Sequence, residues 1–177
     1  MKVAVSGSHR TGKTTLIDAL AGSLPSFTTV DEPYYLLVEE GHVFADMPSI
    51  EDFELQLVRS ISSVLESEED CLFDRCPLDI FAYINAHDDY EGHDVDQRLP
   101  GLLDAMRRID LIAFVPIEEP DRIASSGSDQ RRLRRRVDEE LREIVLDDRM
   151  EFGVPALEVT GTNSERARQI LAYLEDL

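Results

Sequence analysis

The sequence predicts an α/β fold: a parallel sheet covered by helices on both faces. Three observations carry this reading. Short β-rich runs alternate with stretches of helical period along the whole chain. Residues 2–6 lead directly into a glycine-bounded loop and then a helix. Residues 71–74 and 110–117 are near-continuous apolar runs, as expected of strands buried between two helical layers.

The elements follow in order. Residues 2–6 (KVAVS) form the first strand, ending at Gly7. Residues 12–24 place Leu16, Ala19, Leu20 and Leu24 on one helical face, and Pro25 stops the helix. Residues 27–30 (FTTV) read as the second strand and run into Asp31, Glu32 and Pro33. A long helix begins after Pro48. Ser49 and Asp52 make a capping-box pattern, and Ile50, Phe53, Leu57, Val58, Ile61, Val64 and Leu65 keep the 3.6-residue period. Residues 71–74 (CLFD) are the third strand, and residues 77–86 form a helix with Pro77 in its first turn. Residues 88–96 form an acidic loop, residues 97–109 a helix, and residues 110–117 the fourth strand. The polar stretch 118–130 contains Ser125, Ser126, Gly127 and Ser128 and reads as a mobile loop. A charged helix over 131–148, a fifth strand over 156–160 and a final helix capped by Thr162 and Glu165 complete the pattern.

No linker or internal repeat interrupts the 177 residues, so residues 1–177 are expected to form a single domain. No apolar run is long enough to span a bilayer, and the N-terminus lacks a secretory pattern, so a cytoplasmic protein is expected. Cys71 and Cys76 are expected as reduced, packed thiols. The net charge of −19 argues against a broad nucleic-acid-binding surface, whose affinity rests on phosphate neutralisation. Neither nucleic acid nor membrane is expected as a partner. The charge does not bar an anionic ligand, because distant carboxylates are screened beyond about 8 Å at physiological salt.

The chain has two lysines against sixteen arginines, and one of the two is Lys13. It lies within Gly7, Ser8, His9, Arg10, Thr11, Gly12, Lys13 and Thr14, followed by Thr15, which fits G-x-x-x-x-G-K-[ST] between a strand and a helix. The glycines allow torsions and close approach that a Cβ obstructs. Successive N–H groups and the helix N-terminus then face phosphate oxygens. Lys13 reaches the β- and γ-phosphates, and Thr14 offers a hydroxyl to Mg²⁺. Arg10 contacts phosphate or stays solvated. Asp74 ends an apolar strand at the edge that faces the ligand crevice, where it holds Mg²⁺ or its water, or else caps the next helix. Arg75 clamps the acceptor or a phosphate, or pairs with Asp79 or Glu32.

The guanine-reading N-K-x-D pattern is absent. Four further stretches, in order, resemble the deoxynucleoside kinase and thymidylate kinase group and the related AAA-like ribosylnicotinamide kinase domains. They are Glu32-Pro33, residues 53–59 (FELQLVR), residues 71–79 (CLFDRCPLD) and the arginine-rich residues 131–140 (RRLRRRVDEE). The resemblance implies the phosphate-loop (P-loop) NTPase fold, three-layer α/β/α with a five-stranded parallel sheet and an arginine-rich lid. It implies ATP-dependent transfer of the γ-phosphate, with Mg²⁺, to a small acceptor, a nucleoside or nucleotide. Glu32 is then the base on the acceptor hydroxyl, with Asp31 and Asp74 as rivals. Gln56 pairs with the acceptor base, or is an ordinary polar residue of its helix; Arg59 and Arg75 join it at the acceptor. Among the lid arginines, Arg132 and Arg135 are the expected catalytic cations. Tyr34, Tyr35 and Phe53 wall the acceptor pocket or pack in the core. Thr160, Gly161 and Thr162 lie near the adenine. A homodimer is among the expectations. The alternatives are an NTP-binding regulatory or ATPase module acting with a protein partner, and a kinase for a secondary metabolite.

Overall fold

The structure is a computed structural model that describes residues 1–45, 48–68, 70–87, 99–118, 121 and 128–176. The expected acidic loop 88–96 and residues 122–127, which hold most of the expected serine-rich loop, lie outside the described residues.

Five strands form one sheet: β1 Lys2–Ser6, β2 Thr28–Val30, β3 Cys71–Asp74, β4 Leu111–Phe114 and β5 Ala156–Glu158. Their order is β2-β3-β1-β4-β5, and every pairing is parallel. β1 is central: Val5 pairs with Asp74 on one side and Ala113 on the other. All residues of β1, β3 and β4 are buried, as expected of a parallel sheet with two covered faces.

The helices divide between those faces. Val3 and Val5 of β1 point to a layer formed by α1 (Lys13–Ser23) and α7 (Asn163–Glu175), where Leu16, Ile17, Leu20, Ala167 and Ile170 are buried. Ala4, between them, points to the opposite layer, as strand alternation requires. That layer holds α3 (Ile50–Glu66), α4 (Pro77–Ala86), α5 (Leu99–Met106) and α6 (Ser128–Leu141). Cys71 and Cys76 are both free thiols in the interior.

Local chemistry sets the ends of these elements. The expected capping box opens α3: the Asp52 N–H donates to Ser49 Oγ (3.2 Å), and the Ser49 N–H donates to Asp52 Oδ2 (3.1 Å). At its other end, Lys2 Nζ donates to the carbonyls of Val64 (2.8 Å) and Ser67 (2.9 Å), an ammonium on the negative end of the helix. Val58 shares the apolar period of α3 but is exposed. Thr162 and Glu165 cap α7 as expected.

The sequence reading missed α2 (Pro33–Glu39), a seven-residue helix entered through Pro33. It is too short to display a period, and Tyr35 and Val38 stand exposed on it. The charged helix expected over 131–148 begins at Ser128 and changes at Leu141 into a π-helical turn, Arg142–Leu146.

The loops leaving the neighbouring strands β1 and β3 depart to opposite faces of the sheet, one into α1 and the other into α4. Such a divergence opens a crevice at the carboxyl ends of the strands, the usual place for a ligand in an open α/β sheet.

Candidate functional site

The phosphate-binding loop fills that crevice. Gly7 has φ +153°, and a Cβ there would sit 2.4 Å from the Val115 carbonyl oxygen, so only glycine fits against β4. Gly12 has φ +90° and is the N-cap of α1. Lys13, the first residue of α1, is buried although it stands where the loop enters the helix. Its ammonium donates to the Ser8 carbonyl (2.9 Å). Burial, and then the nearby Arg75 cation, lower its pKa to about 8 against the pull of Asp79, Glu32 and Asp74.

Beside Lys13, the Thr14 hydroxyl donates to Asp74 Oδ2 (2.6 Å). The other carboxylate oxygen, Oδ1, is buried and has no hydrogen-bond partner in the structure. Burial raises the Asp74 pKa, against the Thr14 hydrogen bond and the Lys13 charge. A hydroxyl beside an unpaired carboxylate oxygen fits a hard cation that takes oxygen ligands and shares the phosphates, so the pair fits Mg²⁺. Among the described residues no group of three His, Cys, Asp or Glu side chains forms a metal site by itself.

Arg75 follows Asp74 in the left-handed region, φ +77°. Its Nε lies 2.7 Å from Glu32 Oε1, its Nη1 donates to the Gly7 carbonyl (2.9 Å), and Nη1 stands 3.4 Å from Asp79 Oδ1. The guanidinium lies 5.2 Å from the Tyr83 ring centroid. Burial works against its charge, but Tyr83, Glu32 and Asp79 raise its pKa further. The expected contact between Arg75 and Glu32 is therefore present, and it brings the end of β2 against the end of β3.

Three residues that the sequence reading left out of the site hold the loop in place. Asp79 is fully buried in the first turn of α4 and accepts the N–H of Gly7 (2.9 Å) and of Cys76 (2.9 Å). The Tyr83 hydroxyl, one turn on, accepts the N–H of His9 (2.9 Å) and lies 3.0 Å from His9 Nδ1. A hydroxyl that accepts from the main chain keeps its own proton for that nitrogen. The arrangement suits a neutral imidazole, and burial with the Arg75, Arg134, Lys13 and Arg10 charges lowers the His9 pKa to about 4. Arg166 of α7 donates to the Thr11 carbonyl (2.8 Å) and to Glu118 (2.8 Å).

In the arginine-rich helix Arg134 reaches the loop: its Nε donates to the His9 carbonyl (2.8 Å), and it pairs with Asp121. Arg134 is buried, whereas Arg132 and Arg135 are exposed. Residues 131, 132, 135 and 136 cannot all share one face of the helix, since adjacent positions point apart. Arg59 pairs with Glu40 at the end of α2 (2.8 Å) and donates to the Ser63 hydroxyl (2.8 Å). Gln56 is buried and donates to the Asp52 carbonyl of its own helix (3.3 Å). Phe53 stacks on Tyr83 with centroids 5.3 Å apart; Tyr34 stacks on Phe44 at 4.5 Å, and Tyr35 is exposed. Gly161 and Thr162 line a cavity of about 270 Å³ with Thr11, Gly12, Glu118 and Arg166. The exposed Thr15 lies next to it, its carbonyl accepting from Asn163 (3.1 Å).

Solved structures share this fold. Deoxyadenosine kinase from M. mycoides with bound dATP superposes with a TM-score of 0.68 at 14% identity, over 99% of this chain and 100% of that one. Thymidylate kinase from Candida albicans gives 0.66 at 15%, over 99% and 91%. The NadR protein in complex with NR gives 0.69 at 20%, and the chain spans 50% of that protein. No curated protein matches in sequence. Residues 2–166 match the profile of a family described as an AAA domain, and the chain belongs to that family.

Proposed function

We propose that the protein is an ATP-dependent phosphotransferase that moves the γ-phosphate of ATP to a small acceptor of the nucleoside or nucleotide kind. One observation carries the reading: a phosphate loop with its Lys13, Thr14 and Asp74 meets the Glu32–Arg75 pair where β1, β2 and β3 end. A loop that only binds or hydrolyses a nucleotide has no need of a carboxylate held by a buried arginine beside it.

The main-chain N–H groups of residues 7–15 and the Lys13 ammonium hold the triphosphate. Thr14 and Asp74 would hold Mg²⁺, which supplies charge neutralisation across the β- and γ-phosphates when bound. Glu32 accepts the proton of the acceptor hydroxyl. The hydroxyl oxygen forms a bond to the γ-phosphorus, the bond to the bridging oxygen breaks, and ADP leaves with its electron pair. Arg75 orients Glu32 and the acceptor. Arg134 holds the lid helix on the loop, and Arg132 and Arg135 are that helix's outward cations, placed to meet the triphosphate as the lid settles. The likeness of fold to nucleoside and nucleotide kinases supports this reading.

The exposed apolar side chains Tyr35, Val38, Val43, Leu55 and Val58 favour one second reading, an ATPase that works with a protein partner. ADP release and product mass, measured with ATP and Mg²⁺ across a panel of hydroxyl and phosphate acceptors, separate the two. Acceptor-dependent ADP with a phosphorylated product is expected. Hydrolysis indifferent to every acceptor would overturn the kinase reading.

A further inference from the structure

Three consecutive carbonyls of the phosphate loop each hold a cation. Arg75 donates to that of Gly7 (2.9 Å), Lys13 to that of Ser8 (2.9 Å) and Arg134 to that of His9 (2.8 Å). The donors come from the end of β3, the start of α1 and the middle of α6. They converge on one stretch of main chain, and the half-buried His9 side chain stands among them.

Tyr83 fixes the state of that ring. Its hydroxyl accepts the His9 N–H (2.9 Å) and lies 3.0 Å from Nδ1. With the main-chain N–H as donor, the hydroxyl's own proton goes to Nδ1. Burial raises the Tyr83 pKa, so that proton is retained. A neutral histidine whose Nδ1 accepts a hydrogen bond carries its proton on Nε2. Burial, and then the Arg75, Arg134, Lys13 and Arg10 cations, keep the ring neutral. Tyr83 is buried, so the open part of His9 is the side turned away from it, which holds Nε2. The tyrosine is itself clamped. Phe53 stacks on its ring (5.3 Å), and the Arg75 guanidinium lies 5.2 Å from its centroid. The same Arg75 holds Glu32 (2.7 Å). Tyr83 thus touches both the phosphate loop and the Glu32–Arg75 pair.

Resting on the phosphotransferase reading above, we propose that His9 is a catalytic residue that presents a neutral Nε2–H to an oxygen of the transferring phosphate, and that Tyr83 is the positioning residue that fixes this tautomer. The cations around the loop already supply positive charge, and a further one would repel them. A neutral N–H adds a directed hydrogen bond without that repulsion. The proton stays on Nε2 throughout, so the proton of the acceptor hydroxyl still goes to Glu32.

The test uses the intact protein, enriched in the heavy nitrogen isotope, with AMP-PNP and Mg²⁺ as the donor probe, so that it needs no turnover. Long-range proton–nitrogen spectra of the histidine rings are recorded at neutral pH with and without the probe, and His9→Gln assigns the His9 signals. His9 is expected in the neutral Nε2–H form, and that N–H is expected to shift when the probe binds. Tyr83→Phe keeps the ring between Phe53 and Arg75 but should let the other tautomer appear. In assays with ATP, Tyr83→Phe and His9→Asn should lose kcat by at least about 10-fold while KM for ATP moves by less than about 3-fold. His9→Gln, whose amide reaches the Nε2 position, should recover most of that loss. An Nδ1–H or charged His9, an Nε2–H blind to the probe, or equal losses from His9→Gln and His9→Asn would overturn the proposal, as would an unchanged tautomer in Tyr83→Phe. If the spectra are as expected and no acceptor is phosphorylated, the bond from His9 to the nucleotide stands and the transfer reading falls.

Discussion

At Lys13 the chain buries an ammonium that donates to the Ser8 carbonyl. Its pKa falls to about 8 from 10.5, so between those values the unfolded chain binds more protons than the folded one. The charged form therefore costs stability, in full below pH 8, and the cost lifts as pH rises towards 10.5. A shift of this size corresponds to roughly 3 kcal/mol. Lys13→Met, similar in volume and uncharged, is expected to be more stable than the parent at pH 7 in urea titrations. Its advantage should fade towards pH 10.5, while turnover falls at least about 100-fold. Equal stability of the two proteins at pH 7 would count against the buried ammonium. Lys13, Thr14 and Asp74 were legible because a contiguous motif and a strand end announce them. The burial of Lys13 was not, since loop position alone says nothing of what closes over it. Asp79 and Tyr83 were missed because they act on main-chain N–H groups of residues far away in sequence. Only the spacing of Cys76 and Asp79, a capping-box pattern, hinted at one of them.

Helix α6 shows the same lesson one level up. Five arginines in six residues look interchangeable in sequence. Yet Arg134 lies three residues before Val137 and seven before Leu141, so it shares the buried stripe of the helix. Arg166 likewise precedes the buried Ile170 by one turn. An arginine at an inward position of an amphipathic helix is thus a readable signal for a group that reaches something specific. Arg134→Gln is expected to lose about 2–4 kcal/mol of stability, because it removes a buried guanidinium from Asp121 and from the His9 carbonyl. Arg135→Gln, at an exposed position, should change stability by less than about 0.5 kcal/mol. Denaturant midpoints of the two variants decide this, and equal losses would mean that Arg134 does not anchor the helix. The five strands and most helices were evident from apolar period and caps. Helix α2 was hidden because seven residues give fewer than two turns of period.

Across the whole molecule, strand order and layering follow from the alternation of strands and helices, and the observed sheet has the five parallel strands expected. With a net charge of −19, mutual repulsion opposes the compact state. Raising the salt from about 0.01 M to about 0.15 M shortens the screening length from about 30 Å to about 8 Å. The melting temperature is expected to rise over that range, by scanning calorimetry with a chloride salt. A falling Tm would show that ion pairs such as Arg142–Glu158 outweigh the repulsion. No helix among the described residues is long and apolar enough to cross a membrane.

The carboxylate of Asp79 touches the Gly7 amide, the Arg75 guanidinium and the start of α4 at once. One side chain is therefore common property of the phosphate loop and the Glu32–Arg75 pair, and neither can be retuned through it alone. If the chain transfers phosphate as proposed, new acceptor preferences should arise by changing α2 and α3, leaving the first turn of α4 as a fixed keystone.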